Sequence, residues 1–411
     1  MAEAASPGQS DMTAPGPVGR EPARTAPDDP VVPRYGAGTL GAVLPGAAAA
    51  LGVETGLPAL TFPRVERACV ALIDGLGAEL LAESAADGDA PFLAELMTAG
   101  RPDGQPQRLR VGTPTTTATS MGSFGTGLPP GRHGLVGYRV RDPARGALLN
   151  ELQWDPYTDP VDWQPRRTVF SRLIDGGVDV LNIGAEEFAG SGLTVAAFRG
   201  GAFTGAKKLA DRVDAALAML SRPGRRLAYL YWGAVDTAGH EHGWRSAPWR
   251  AEVRALDRQL ARLAAALPAG TLLAVTADHG MVDVPHTARL DIADHPALRR
   301  DVALFGGEPR LVQLYCRDGS SAAVARTAAR FADAVNDRAW VRTRGEAIDA
   351  GWFGPVDDRI APRIGDVLVA ARGDFALIDS ATMHEKALKL IGHHGSLTDA
   401  EQTVPLLTTV V

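Results

Sequence analysis

Eight short runs of apolar and β-branched residues punctuate the chain: ACVALI (68–73), VDVLNIG (178–184), LTVAAF (193–198), RLAYLYW (226–232), TLLAVTA (271–277), RLVQLYC (310–316), DVLVAA (366–371) and PLLTTVV (405–411). Their length and composition predict strands. Between them lie stretches such as KKLADRVDAALAMLS (207–221) and WRAEVRALDRQLARLAAAL (249–267), whose apolar residues recur every three or four positions and predict amphipathic helices. Strands that are apolar throughout are covered on both faces, so their alternation with helices predicts an α/β fold: three-layer α/β/α around a mostly parallel central sheet. There is no internal repeat. Residues 1–35 are rich in Ala, Pro, Gly and acidic residues with few bulky apolar side chains, and are expected to form a disordered N-terminal tail.

Composition narrows the function more by exclusion than by suggestion. The 411 residues are 45% hydrophobic and 22% charged, values of an ordinary globular protein with a sizeable core. A net charge of -6 gives no reason to expect a nucleic-acid polymer or an anionic membrane as partner. The two cysteines, Cys69 and Cys316, both fall in apolar runs and are expected to be buried, inert thiols; their number excludes a zinc site built of cysteine. The first residues lack the apolar core of a signal peptide and no apolar run reaches membrane-spanning length, so the expected location is cytoplasmic.

The chemistry lies at the ends of the predicted strands. ACVALIDGLG delivers Asp74, LAYLYWGAVDTAGH delivers Asp236, and TLLAVTADHG delivers Asp278. In an open α/β sheet the ligand crevice lies beyond the carboxyl ends of the strands, so these carboxylates are candidates to converge. Like charges gathered in one crevice repel, and a divalent cation is the usual remedy. Histidines accompany them: His240 follows Asp236 by one helical turn, His279 follows Asp278 directly, and His393 and His394 sit in LIGHHGSLT. Carboxylate oxygens and imidazole nitrogens without thiolate suit two zinc-like ions with open positions; manganese or iron would accept the same donors.

The stretch RVGTPTTTATSMGSFGTGLPPGRHG (110–134) carries five threonines and a serine between Thr113 and Ser120. It reads as a helix with Thr117 near its N-cap, Met121 and Phe124 facing inward, Gly127 as the stop and Pro129 beyond. A hydroxyl at such a helix start becomes a nucleophile when a metal lowers its pKa, and the free N–H groups there suit phosphate oxygens. One of these threonines is the candidate, with Thr116 and Thr119 as alternatives to Thr117.

With these residues assembled, the chain resembles the alkaline phosphatase superfamily, and within it the nucleotide pyrophosphatase/phosphodiesterase branch. The likeness rests on five motifs in order, DGLG, PTTTATSMGSFGTGLPPGRHG, VDTAGH, ADHGM and HHG, spread over residues 65 to 400. It implies an alkaline phosphatase-like fold with Thr117 as nucleophile. It also implies one metal held by Asp74, Thr117, Asp278 and His279, and a second held by Asp236, His240 and His394. Where that branch places an asparagine on a phosphoryl oxygen, this chain reads HGLVGYRV and offers Tyr138, whose hydroxyl can donate.

Ligands drawn from Asp74 through His394 must meet in one place, so residues 36–411 are expected to form a single catalytic domain. The implied activity is two-metal hydrolysis of a phosphodiester or pyrophosphate bond in a small nucleotide-like molecule, through a covalent phospho-threonine. The competing readings are a phosphomonoesterase or phosphonate hydrolase on the same metals, and a metal-stabilised binding protein without turnover. Sulfatase chemistry is disfavoured, because those relatives use a modified cysteine or serine rather than a threonine. His242 and His393 are read as solvated or outer residues, His133 as the partner of a backbone group in its turn, His286 and His295 as surface residues. The tryptophans and Arg132, Arg139 and Arg141 receive no role.

Overall fold

The computed structural model describes residues 30–99 and 107–411; the expected tail lies outside the described residues except for residues 30–35. Seven strands form the main sheet, in the spatial order Arg108–Arg110, Thr403–Val410, Thr271–Ala277, Arg67–Ile73, Arg226–Trp232, Asp179–Gly184, Ala202–Gly205. The last five are mutually parallel, while Thr403–Val410 runs antiparallel to Thr271–Ala277. The strand Thr271–Ala277 is buried throughout, as expected for a sheet covered on both faces. One group of helices, Val43–Ala50, Thr117–Thr126, Val169–Asp175 and Gly192–Phe198, packs together; a second comprises Ala78–Ala86, Pro91–Ala99, Leu209–Leu220 and Ala247–Ala266. Among the described residues no helix is long and apolar enough to cross a membrane.

Register sets the position of the site. Ile73 pairs with Trp232 on one side and with Ala277 on the other, so three central strands end at the same level. The residues that follow them, Asp74, the helix Ala234–His242 and Asp278, therefore emerge together at one edge of the sheet.

The Thr117–Thr126 helix is fastened above this edge. Thr116 is its extended N-cap, and Gly127 ends it in the left-handed region at φ 71°, which glycine adopts without steric cost. Gly125, inside the helix, costs about 1 kcal/mol relative to alanine, but a Cβ there would lie 1.9 Å from the Ala197 carbonyl oxygen. Its absence lets the helix Gly192–Phe198 approach closely. Phe124, Phe170, Phe198 and Tyr229 interlock between helices and sheet, with ring centroids 4.9 Å apart for Phe198 and Tyr229 and 5.4 Å for Phe124 and Tyr229.

Three expectations need correction. LTVAAF is a helix, Gly192–Phe198: the Ser191 hydroxyl accepts from the Thr194 N–H, and Leu193, Ala196 and Ala197 share a buried face at helical spacing. A short apolar run carries no length signal to separate the two states. RLVQLYC and DVLVAA do form strands, Leu311–Cys316 and Val367–Ala371, but in a separate antiparallel sheet ordered Val302–Glu308, Leu311–Cys316, Val367–Ala371, Ala339–Thr343. That sheet has its own apolar cluster around Val312, Leu314, Phe331, Val367 and Val369. Finally, Asp236 does not end a strand; it sits in the first turn of the helix Ala234–His242.

Candidate functional site

The six acidic and imidazole side chains expected at the strand ends meet in the folded chain. His279 Nε2 lies 3.3 Å from Asp74 Oδ1 and 3.4 Å from Asp278 Oδ2. His240 Nε2 lies 3.2 Å from Asp236 Oδ2, one helical turn away, and 3.2 Å from His394 Nε2. The rings of His279 and His394 stack with centroids 3.6 Å apart, joining the two groups. His394 reaches this place because the short strand Gly392–His393 pairs with Val282–Asp283.

Each imidazole is oriented from behind by a backbone carbonyl. The Nδ1 of His279 donates to Gly280 O at 3.0 Å, that of His240 to Gly392 O at 2.7 Å, and that of His394 to Thr115 O at 2.8 Å. A carbonyl oxygen only accepts, so the proton is on Nδ1 and Nε2 is the inward-facing ligand atom in all three rings. Opposite these nitrogens, Asp74 Oδ1, Asp236 Oδ1 and Asp278 Oδ2 are buried without a hydrogen-bond partner. Buried oxygens left in this state are costly unless a cation completes them. The donor set fits divalent ions in two groups, Asp74 with Asp278 and His279, and Asp236 with His279 and His394; within each, the ligand atoms lie within 4.8 Å of one another. His279 belongs to both groups, and His240 adjoins the second.

Electrostatics agree with this geometry. Burial, then the charges of Asp278 and Asp236, push the Asp74 carboxyl well above its ordinary pKa. Burial likewise raises Asp278. Burial opposes the ionised form of Asp236 too, but His240 beside it holds that carboxyl below the usual range. Reciprocally, His240 is raised to about 9 by Asp236 against the effect of its own burial. Burial, then the neighbouring His279 and His240, pushes His394 well below its ordinary value.

Of the hydroxyls from Thr113 to Ser120, only Thr117 is not fully buried. Thr115 donates to Ser396 O, Ser120 donates to Asp278 O, Thr113 accepts from Gln402, and Thr116 bonds the Glu308 carboxyl. Thr119 is sealed in the interior without a partner. Thr117 Oγ1 lies 3.3 Å from His279 Nε2, in the first turn of its helix.

Tyr138 is half-buried on the loop before the strand Arg139–Asp142; its carbonyl accepts from the Glu151 N–H, and its hydroxyl makes no hydrogen bond among the described residues. His242 is exposed beside Glu241, and His286 and His295 are exposed as expected. His133 is buried and its Nδ1 accepts from the Leu135 N–H. Both cysteines are buried. His393 is buried rather than solvated, with Nε2 3.2 Å from the Leu390 carbonyl. Arg141 is not free in solvent but donates to the Pro362 carbonyl. Two residues at the site had escaped notice. Tyr231 donates to Asp74 Oδ2, and Glu308, arriving from the second sheet, places Oε2 3.8 Å from His394 Nδ1. The position of Tyr231 near a strand end was a usable signal; nothing local marks Glu308.

The family described as Type I phosphodiesterase / nucleotide pyrophosphatase matches residues 68–397. No curated protein sequence matches significantly. Among solved structures, human ectonucleotide pyrophosphatase/phosphodiesterase 5 is similar with a TM-score of 0.64 at 16% identity, over 83% of this chain and 87% of that one. An inactive threonine-to-alanine variant of the murine protein, in complex with AMP, aligns with a TM-score of 0.63 at 16% identity, again over 83% and 87%. Phosphonoacetate hydrolase from Sinorhizobium meliloti 1021, in complex with phosphonoacetate, aligns at 0.64 and 20% identity, over 84% and 91%.

Proposed function

The chain belongs to the type I phosphodiesterase / nucleotide pyrophosphatase family, and from that premise we propose that it hydrolyses phosphodiester or pyrophosphate bonds in small nucleotide-like molecules, with Thr117 as nucleophile. The observation that carries this reading is the position of the one incompletely buried hydroxyl of the threonine run, 3.3 Å from His279 Nε2 and beside carboxylates with unpartnered oxygens. The inactivity of the murine threonine-to-alanine variant supports the same role for a threonine here.

In this reading Asp74, Thr117, Asp278 and His279 hold one divalent ion, and Asp236, His240 and His394 the other. Zinc is the first choice for these donors, with manganese and iron able to replace it. Bound, the ions supply the charge that lowers the Thr117 pKa and balances the attacking and leaving oxygens. Thr117 Oγ1 attacks phosphorus in line with the departing group, giving a phospho-threonine; water then cleaves that ester and restores the hydroxyl. The N–H groups of the first turn face the phosphoryl oxygens, and Tyr138 is the proposed further donor. Residues 36–411 act as one catalytic domain, in the cytoplasm, on a small phosphate ester with neither a nucleic-acid polymer nor a membrane as partner.

A second reading, phosphonate hydrolysis, is favoured by the likeness to phosphonoacetate hydrolase over 91% of that enzyme. One assay separates the two. Zinc-loaded protein is offered ATP, an aryl phosphodiester, an aryl phosphomonoester and phosphonoacetate, and the products are identified. AMP with pyrophosphate, abolished by a chelator and restored by zinc, is the expected result. Phosphate from the monoester alone, acetate with phosphate from phosphonoacetate, or no turnover with metal bound would each replace the first reading.

A further inference from the structure

Asp74 directly follows the strand Arg67–Ile73 and Tyr231 lies on the parallel strand beside it, and their meeting follows from register. Leu72 pairs with Tyr231, paired side chains in a parallel sheet share a face, and Asp74, two residues beyond Leu72, returns to that face. The Tyr231 hydroxyl donates to Asp74 Oδ2. Asp74 Oδ1 has no hydrogen-bond partner and lies 3.3 Å from His279 Nε2. The two oxygens of one carboxylate are thereby divided, one engaged by the protein and one left open.

Asp278 is divided in the same way by different atoms. Its Oδ1 accepts from the Gly75 and His279 N–H groups, at 3.1 and 3.0 Å, while Oδ2 is unpartnered. Both carboxylates around His279 therefore present a single free oxygen. Tyr231 is itself fixed, its ring edge-on to Phe188 at 5.8 Å and its carbonyl accepting from Arg212 Nη1 at 2.6 Å. Only proline would remove a backbone N–H, so the Tyr231 hydroxyl is the member of this arrangement that a conservative substitution can remove.

We propose that Tyr231 is a positioning residue that restricts Asp74 to one-oxygen ligation, keeping a coordination position beside Thr117 free for a phosphoryl oxygen of the substrate. A carboxylate with both oxygens free can chelate an ion and fill that position; one with Oδ2 hydrogen-bonded cannot do so without breaking the bond. The proposal rests on Asp74 being a metal ligand, as set out above.

Tyr231→Phe removes the hydroxyl and keeps the ring. Metal-free protein is titrated with cobalt(II), followed by calorimetry and by the visible absorption band, which weakens as coordination number rises. The expected result is binding of both ions, with the affinity for one changed about tenfold, a weaker band for that ion, and a KM that rises more than kcat falls. An unchanged band with unchanged affinity overturns the proposal. Difluorotyrosine in place of Tyr231 keeps the shape and strengthens the donor, so its affinity shift should oppose that of the phenylalanine; an identical shift, or none, also overturns it. Asp74→Asn tests the underlying reading separately. It should lose one ion, and retention of both at wild-type affinity would refute Asp74 as a ligand whatever Tyr231→Phe does.

Discussion

At both ends of one ten-residue helix a hydroxyl lies beside an imidazole: Thr117 Oγ1 is 3.3 Å from His279 Nε2, and Ser123 Oγ is 3.0 Å from His133 Nε2. The shorter pair is the chemically idle one, and the reason is the atom behind each ring. His133 Nδ1 accepts from the Leu135 N–H, so in the neutral ring Nε2 carries the proton and donates to Ser123. It has no lone pair left with which to take the serine proton. His279 Nδ1 donates to the Gly280 carbonyl, so its Nε2 faces Thr117 as a lone pair. The charges of Arg359 and Arg363 act on His133 and, together with burial, the larger effect, depress its pKa to about 3. Beyond His279 lie Asp74 Oδ1 and Asp278 Oδ2, both buried and unpartnered. A hydroxyl next to a histidine is therefore a weak sign of catalysis; ring orientation and unfilled charge separate the two cases.

The largest effect expected from this contrast is on turnover. Thr117→Ala should lower kcat/KM by roughly a thousandfold or more and leave the metal content, measured by elemental analysis, at the wild-type level. Ser123→Ala, at the other end of the same helix, should change kcat/KM by less than about threefold, because its partner, the His133 Nε2–H, is a donor and cannot take the serine proton. Equal losses in the two variants would mean that the helix as a whole, rather than the Thr117 oxygen, governs activity.

The same contrast explains what could be read before the structure. Asp74 and Asp278 were legible because each directly follows a continuous apolar strand, and His240 because four residues from Asp236 is one turn of helix. The bounds of the Thr117 helix were legible from Gly127 and Pro129. What escaped depends on contacts between distant segments. Glu308 follows the Gly306–Gly307 pair on a strand of the second sheet, and only tertiary packing carries it to His394. Among the adjacent histidines, His394 stacks on His279 whereas His393 turns to the Leu390 carbonyl and is buried, a distinction set by the short pairing with Val282–Asp283. LTVAAF misled because six apolar residues satisfy a strand and a helix face equally, and the Ser191 cap decided between them.

A smaller effect concerns acid stability. His133 is completely buried with its pKa depressed to about 3, so its contribution to stability is fully present above the ordinary histidine value and is lost as pH falls from there toward 3. Between pH 7 and 4.5 the loss should amount to about 2–3 kcal/mol. Nearby Glu151 behaves in the opposite sense: burial raises it to about 7, so its contribution is complete below the usual glutamate value and disappears as pH rises through 7. His133→Gln removes the first dependence and leaves the second. The stability difference between wild type and His133→Gln, from denaturant unfolding of the metal-free proteins, should therefore shift in favour of the variant by that amount on going from pH 7 to 4.5. A difference that does not change with pH would show that His133 protonates freely in the folded protein, and the assignment of its donor and acceptor nitrogens would fall.

The smallest effect tests whether Ser123 is only structural. Ser123→Ala leaves the His133 Nε2–H without its acceptor, and an unmatched buried donor costs roughly 1–3 kcal/mol. Alanine is the better helix residue, which returns about 0.5 kcal/mol. Ser123 also borders a cavity of about 270 Å³ with Tyr35, Thr39 and Pro129, from which water can reach the ring once the hydroxyl is gone. The net destabilisation in denaturant unfolding should be about 1 kcal/mol, with no change in the pH profile of activity. A stability unchanged within error, combined with a tenfold loss of turnover, would reverse the comparison, because it would assign the serine to the reaction and leave its hydrogen bond to His133 without structural value.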